Sequence, residues 1–258
     1  MKPTLILSLA LALSGCSEID DYFSTVAAQA LFIGLDDPSS AQSIGLDPAL
    51  ANGATATVFL AKARSLESIS ANLFDDADSV SISDSTTSVT LSPRGNGLYS
   101  VDSGEDEALS YVIGRSYSID VYEEGRLHSA EMLAPPPPSL TGIPDAQAGS
   151  THPAGSELQI NMGQQFDNYL VLVSDESGSI TYSNRPEEVS DYLDWIGGSS
   201  VFTTITVPGS AFPASGTGYI VAVAGIRRAS DSAFDNFNPL VSNLAMGSLA
   251  VSPVVTSP

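Results

Sequence analysis

The chain has 258 residues, of which 43% are hydrophobic, and its 30 acidic and nine basic residues give it a net charge of −21. This charge argues against binding DNA or RNA, which needs basic stripes on the protein surface, and the hydrophobic content excludes the composition typical of disordered chains. The composition therefore predicts an acidic, folded protein that is long enough for one or two domains.

The first fifteen residues follow the order of a secretory signal. Met1-Lys2 carry a positive charge, Leu5 to Leu13 form an apolar run, and Ser14-Gly15 are small. Nine apolar residues are too few for a membrane-spanning helix, which needs about 20. Residues 1–15 are therefore predicted to be a removable signal peptide.

The sequence Leu13-Ser14-Gly15-Cys16 resembles the lipobox of bacterial lipoproteins, and Cys16 is the only cysteine in the chain. The resemblance implies cleavage after Gly15 and attachment of acyl chains such as palmitate to Cys16, with two or more chains needed for stable anchoring. Ser17 resembles the residue found there in lipoproteins sent to the outer membrane; the alternatives of a periplasmic or an external face stay open. A plain secretory signal with an incidental cysteine is the competing interpretation.

Residues 16–34 are predicted to form the lipidated N-terminus and a short helix. Ser17-Glu18-Ile19-Asp20 resembles a capping box, and apolar residues recur at helical spacing as far as Leu31. The polar face is acidic, which favours packing against the first domain over lying on a membrane.

A run of prolines divides the remaining chain. Ala134 is followed by Pro135 to Pro138, and consecutive prolines form a stiff, extended spacer. The expected organisation is a first β-sandwich domain at 35–134, a proline-rich linker at 135–150 and a second β-sandwich domain at 151–258.

Short runs rich in Val, Ile, Thr and Tyr, many with two-residue alternation, predict strands on both sides of the linker. Glu124-Gly125 and Ser177-Gly178 predict tight hairpin turns, and a second short helix is predicted at Pro186 to Ile196. The predicted strands are 54–61, 79–83, 88–92, 97–101, 116–123, 126–133, 156–162, 168–175, 179–183, 201–207 and 218–226.

Two stretches resemble known β-domain families. "NGLYSV" with "IGRSYSIDVYEEGRLHSAEMLAPPP" resembles the closing strands of immunoglobulin-like or transthyretin-like domains, and "LQINMGQQFDNYLVLVSDESGSITYS" with "GYIVAVAGI" is similar to fibronectin type III modules. The resemblance implies an all-β fold of two tandem antiparallel sandwiches.

The candidate chemical groups are few. The two histidines, His128 and His152, are interpreted as surface residues on opposite sides of the linker, and no nucleophile elbow, zinc-protease pair or phosphate loop occurs. No catalytic residue, metal ligand or cofactor is therefore predicted.

Acidic, aromatic and basic groups leave alternatives open. Solvated turns are favoured over calcium sites for the acids, although calcium prefers such oxygens, and a carboxylate pair in a cleft would favour a glycosidase. Packing is favoured over sugar stacking for the aromatic residues. For Arg227-Arg228, the only adjacent bases, an exposed turn that pairs with acids of the domain is favoured over a site that binds an anion. The acids are Asp75, Asp76, Asp78, Asp84, Asp102, Glu105, Asp106, Glu107, Asp231 and Asp235 with Asn236, and the aromatics are Tyr169, Tyr182, Tyr192, Trp195 and Phe202.

These observations predict a lipid-anchored cell-envelope protein that acts as a non-catalytic structural or binding module. The alternative is a calcium-dependent or carbohydrate-binding surface lipoprotein. Its expected partners are the membrane, through the lipid on Cys16, and an unknown envelope protein or glycan, with no nucleic acid.

Overall fold

The structure is a computed structural model that describes residues 26–35, 53–65, 68–186, 195, 200–229, 234–235, 237 and 242–258. The described part of the chain consists mainly of β-strands, so the predicted all-β fold is confirmed. The strands are β1 (Val26–Gly34), β2 (Ala54–Ser65), β3 (Ser68–Phe74), β4 (Ser79–Ser83), β5 (Ser88–Thr90), β6 (Ser92–Gly95), β7 (Leu98–Asp102), β8 (Ser116–Glu123), β9 (Arg126–Leu133), β10 (Leu158–Phe166), β11 (Asn168–Asp175), β12 (Ile180–Ser183), β13 (Phe202–Val207), β14 (Gly218–Arg228) and β15 (Asn243–Val255), with a 3-10 turn at Gly209–Ala211.

Hairpin β8–β9 illustrates how local sequence sets the strands. Alternate residues of β8 are buried, as expected for a strand with one face on a core. Glu124 and Gly125 have φ angles of 48° and 77°, the left-handed values that a two-residue turn requires. The turn pairs Glu123 with Arg126, which fixes the antiparallel register of the whole hairpin.

One large sheet and two smaller sheets form the fold. The large sheet has the order β12-β11-β14-β15-β1-β2-β7-β6, with β3 paired to β2, and the smaller sheets have the orders β5-β4-β8-β9 and β10-β13. The first core lies between the β1, β2 and β7 part of the large sheet and the four-stranded sheet. The second core lies between the β11 and β14 part of the large sheet and the β10–β13 pair. Each core is therefore the interior of a β-sandwich.

Strand β15 belongs to both sandwiches. It pairs in parallel with β1 from Asn243 to Ser248 and antiparallel with β14 from Ala245 to Val255. Leu244 and Met246 lie in the first core, whereas Val254 lies in the second. The parallel β1–β15 pair is an exception to the antiparallel pairing expected from the sequence.

The first core also receives side chains from elsewhere in the C-terminal part of the chain. Phe234 and Phe237 are fully buried there beside the residues of β15, and Ala229 packs against the same cluster. The division predicted from the sequence assigned all of these residues to the second domain, because a boundary drawn at a linker cannot detect a segment that returns.

The predicted N-terminal helix is wrong for residues 26–34, which form β1. This strand lies between β2 and β15, and residues on both of its faces are buried. A continuously apolar run gives no alternation, so periodicity alone cannot separate a central strand from a helix. The rest of that prediction, residues 16–25, lies outside the described residues, as do residues 187–194 and 196 of the second predicted helix.

Candidate ligand groove

A groove of about 870 Å³ lies beside the proline segment, at the junction of the two sandwiches. Its volume falls within the range of about 300–1,000 Å³ that is usual for ligand sites. We call it the junction groove, and its lining consists of Ile113, Gly114, Glu131, Met132, Leu133, Ala134, Pro135, Pro136, Gln165, Phe166, Asp167, Val201, Arg227, Arg228 and Ala229.

The proline segment is attached to both sandwiches. Tyr111, which belongs to the first core, donates a hydrogen bond from its hydroxyl to the carbonyl of Pro135 at 3.1 Å. On the other side, the Gln164 amide donates to the carbonyl of Pro137 at 3.4 Å, and Ser139 N–H donates to the carbonyl of Met162 at 3.0 Å. The prolines therefore form a fixed wall of the groove.

Exposed aliphatic side chains line the groove. Leu133 is 63% exposed, Val201 58% and Ile113 37%, and they are three of the eight large hydrophobic side chains that are exposed among the described residues. Scattered exposed hydrophobic residues are ordinary, whereas a group of them in one concave site is a mark of a binding surface. The groove thus has an apolar surface that water covers in the free protein.

The predicted exposed turn at Arg227 is wrong: Arg227 belongs to β14, is half-buried, and has only neutral partners among the described residues. Its Nη2 donates to Gln164 Oε1 at 2.9 Å, and its guanidinium lies 5.5 Å from the centroid of the Phe166 ring. Its Nε is buried without an acceptor. The ion pairs within the described part of the chain join Lys62 to Asp75, Arg94 to Glu105 and Arg115 to Asp84, so none of them includes Arg227.

The two carboxylates of the groove accept hydrogen bonds from the protein. Glu131 accepts one from the Ser116 hydroxyl, and Asp167 Oδ2 accepts one from the backbone N–H of Arg228 at 2.8 Å. Both groups therefore help to hold neighbouring strands and loops.

The predicted surface position of both histidines is wrong, since both are buried. The carbonyl of Asp235 is hydrogen-bonded to His128 Nδ1 at 2.8 Å, and the His128 ring stacks on Phe237 with 4.0 Å between centroids. The carbonyl of Ser156 is hydrogen-bonded to His152 Nε2 at 2.9 Å. His128 thus connects β9 to a segment that is distant in the sequence, whereas His152 connects two neighbouring parts of the chain.

Several of the acidic residues form turns. Asp84 accepts hydrogen bonds from Thr86 N–H at 2.7 Å, from Thr87 N–H at 2.8 Å and from Arg115 Nη1 at 2.6 Å. Desolvation raises the pKa of Asp84, but these donors and the Thr86 hydroxyl outweigh it and hold the pKa at about 2. Asp102 likewise accepts from the backbone N–H groups of Gly104 and Glu105.

One acidic group has a raised pKa. Burial of Glu123, with the nearby charges of Asp75 and Glu124, raises its pKa to about 7 although Lys62 opposes the shift. Among the residues that the structure describes, no cluster of three or more His, Cys, Asp or Glu side chains could hold a metal ion. Asp231 and Asn236 lie outside these residues, as does Tyr192.

The four candidate aromatic residues that the structure describes, Tyr169, Tyr182, Trp195 and Phe202, do not form one platform. Tyr169 and Phe202 make a T-shaped contact of 4.9 Å and, with Tyr182, pack at the margin of the second core. Trp195 instead packs against the small cluster that contains Leu31 and Ile226. These four side chains therefore pack against two different clusters.

The groove was missed in the sequence, where Arg227-Arg228 were singled out but an exposed turn was favoured for them. One signal was available in β9, where His128 and Ala130 are buried and the outward positions should be polar. Leu133 occupies one of the outward positions and is nevertheless apolar. Val201 and Gln164 gave no such signal, because they reach this region only through the packing of the sandwiches.

No protein-family profile matches the chain, and no curated protein matches it. Similar solved structures include the FN1–FN3 domains of chicken CNTN1, with 10% identity, a TM-score of 0.23, and coverage of 89% of this chain and 64% of that one. Alpha-2-macroglobulin of Escherichia coli, activated by porcine elastase, has 10% identity, a TM-score of 0.25, and coverage of 90% and 20%.

A third similar structure is a candidate carbohydrate-binding protein of Bacteroides uniformis, with 8% identity, a TM-score of 0.24, and coverage of 87% and 98%. The chain thus spans less than two thirds of the length of the first two proteins. TM-scores this low support no conclusion about fold or function. Cys16 and the predicted signal peptide lie outside the described residues, within which no helix is both long and apolar enough to cross a bilayer.

Proposed function

We propose that the chain is a lipid-anchored protein of the bacterial cell envelope that binds a partner in the junction groove and catalyses no reaction. The observation that carries the proposal is the groove itself, where exposed aliphatic side chains surround an arginine without an acidic partner among the described residues. Buried aliphatic surface gives affinity, and a few polar groups orient the ligand.

The anchor is supported by the leader and by the lipobox-like Leu13-Ser14-Gly15-Cys16, and Ser17 favours the outer membrane as its destination. The first described strand begins at Val26, which leaves nine residues after Cys16. Nine residues span at most about 30 Å when fully extended. In an anchored protein, Val26 would therefore lie within about 30 Å of the lipidated residue.

The absence of catalysis is supported by the roles of the candidate groups. His128 and His152 are engaged by backbone carbonyls, and Asp84 and Asp102 hold turns. Glu131 and Asp167 in the groove accept hydrogen bonds from neighbouring elements. A general acid or base needs a proton-transfer path to substrate, and these contacts assign each group a structural task instead.

The anchor is tested by replacing Cys16 with Ser and following an alkyne analogue of palmitate together with membrane fractionation. The native chain should be labelled and should sediment with the outer membrane, whereas the Cys16→Ser variant should be unlabelled and released or left unprocessed. Labelling and membrane retention of the variant would contradict the proposal.

The groove is tested by photo-crosslinking in cells. A photoreactive amino acid is introduced at Leu133, inside the groove, or at Leu127, which is on the same strand and 57% exposed but does not line the groove. We expect a discrete crosslinked product from position 133 only. Equal products at the two positions, or no product at 133, would exclude the groove as the binding site.

A further inference from the structure

We infer that the ligand of the junction groove is a peptide segment with a carboxylate next to aliphatic side chains, and that Arg227 binds this carboxylate. The inference rests on the proposed function, since it assigns chemistry to the same groove. It is carried by the contacts of Arg227 and by the character of the groove walls.

Arg227 has no counter-ion among the described residues of the free protein. The chain has 30 acidic residues and a net charge of −21, yet Arg227 pairs with none of the acids that the structure describes. Gln164 and Phe166, both neutral, hold its guanidinium instead. A half-buried cation that lacks a counter-ion among the described residues is costly, and an anionic ligand would reduce that cost.

Gln164 orients the guanidinium of Arg227. Gln164 donates from its amide nitrogen to the carbonyl of Pro137, which turns its Oε1 towards Arg227 Nη2. Neither Nη1 nor the buried Nε has a hydrogen-bond acceptor among the described residues. Arginine binds carboxylates through parallel N–H donors, and a prepositioned guanidinium loses little freedom on binding.

The exposed hydrophobic side chains of the groove walls are aliphatic. Leu133, Val201 and Ile113 present aliphatic surface, which suits Leu, Ile, Val or Met side chains of a ligand. The aromatic ring in the lining, Phe166, is 1% exposed and lies beneath Arg227. A sugar ring would lack a flat aromatic face on which to stack, so the lining favours a peptide over an acidic glycan.

The test selects peptides from a random library displayed on phage, with the full chain in detergent as bait. Enriched peptides are synthesised with a fluorescent label, and their affinities are measured by anisotropy for the native chain and for Arg227→Gln. The matched control is Arg185→Gln, which removes the same charge from an exposed position outside the groove. A Leu133→Ser variant reports on the groove independently of Arg227.

The expected result is enrichment of peptides with Asp or Glu beside aliphatic residues. Arg227→Gln should weaken their binding about tenfold or more, as for the loss of a charged hydrogen bond, and Arg185→Gln should not. Replacing the peptide's Glu by Gln should weaken binding to the native chain to a similar degree. This last measurement needs no protein variant, so it holds even if Arg227→Gln folds poorly.

Three outcomes would overturn the inference in distinguishable ways. Peptides that depend on Leu133 but not on Arg227 would leave the groove as the site and refute the carboxylate. A labelled acidic oligosaccharide, oligogalacturonate, is measured in parallel. If it binds the native chain but not Arg227→Gln, and no peptide is enriched, the ligand is an acidic glycan and the inferred peptide ligand is refuted. Peptides that depend on neither residue, or no binding of any probe, would refute both the inference and the groove.

Discussion

The shared strand β15 predicts that the N-terminal half of the chain cannot fold alone. The perturbation is a fragment that ends at Ser150, which retains β1 to β9 and most of the first core. It lacks four fully or almost fully buried side chains that complete that core, namely Phe234, Phe237, Leu244 and Met246. It also removes the strand that pairs with β1 over six residues.

The expected magnitude follows from the burial of these four side chains. Truncating a buried Phe to Ala costs about 3–5 kcal/mol, and truncating Leu or Met costs about 2–5 kcal/mol. Together the losses reach about 10 kcal/mol or more, which equals or exceeds the total stability of many domains, about 5–15 kcal/mol. The fragment should therefore populate no stable native state.

The assay is urea unfolding followed by circular dichroism, with amide NMR spectra of the fragment and of the full chain. The full chain should give dispersed amide signals and a cooperative transition, and the fragment should give neither. In the full chain, Met246→Ala should lower stability by about 2–4 kcal/mol, whereas Leu249→Ala, a less buried position on β15, should cost less. A fragment that unfolds cooperatively with nearly the stability of the full chain would refute the shared core.

Three further predictions concern charges. Asp84→Asn should destabilise the protein by about 1–2 kcal/mol near neutral pH. Because the pKa of Asp84 is lowered to about 2, the stability that its carboxylate contributes is present above the ordinary pKa of Asp and is lost as the pH falls through about 2. The urea midpoints of the variant and the native protein should therefore converge at that pH. Glu123→Gln should raise stability at about pH 8 by roughly 1 kcal/mol after allowance for solvent screening, with little change at about pH 5, because a carboxyl whose pKa is raised to about 7 loses stability as the pH rises through that value. Millimolar calcium should leave the melting temperature unchanged, because the described residues contain no cluster of acidic side chains that could hold a metal ion. Specific binding to the native state would raise the melting temperature, so a saturable rise reversed by a chelator would instead support the calcium-dependent alternative.

Matched variants separate these effects from general charge changes. Glu124→Gln removes the same charge next to Glu123 from an exposed turn, so it should change the pH dependence less. An Asp84→Asn variant as stable as the native protein near neutral pH would show that the turn needs no carboxylate. If the stability of Glu123→Gln changes with pH between about pH 5 and 8 as the stability of the native protein does, the raised pKa of Glu123 has no role in stability.

Strands with one buried face were predictable from the sequence. Residues 79–83, 116–123 and 126–133 were predicted with the bounds that the structure gives to β4, β8 and β9. Their alternation follows from local geometry, since successive side chains of a strand point to opposite faces. The turn at Glu124-Gly125 was predictable for the same reason, because its conformation depends on two adjacent residues.

Strands β1 and β15 were not predictable in this way. Both are buried on the two faces over the length where they pair, so β1 reads as a possible helix, and β15 contains Gly247 and Pro253, which usually interrupt strands. Pro253 is tolerated because β15 pairs with β1 only as far as Ser248, which leaves one edge without that partner at the proline. Such strands depend on distant partners rather than on local pattern.

The groove depends on the same distant pairing, so the proposed binding would need no reorganisation of its walls. Leu133 ends a strand of the first sandwich, and Arg227 is the next-to-last residue of β14, whose neighbour β15 runs into the first core. The prolines between them are hydrogen-bonded to Tyr111 on one side and to Gln164 on the other. Binding loses affinity when loops and side chains must be ordered. Because continuous strands and anchored prolines already fix these walls, a ligand that buried Leu133 and paired with Arg227 would retain most of that energy as affinity.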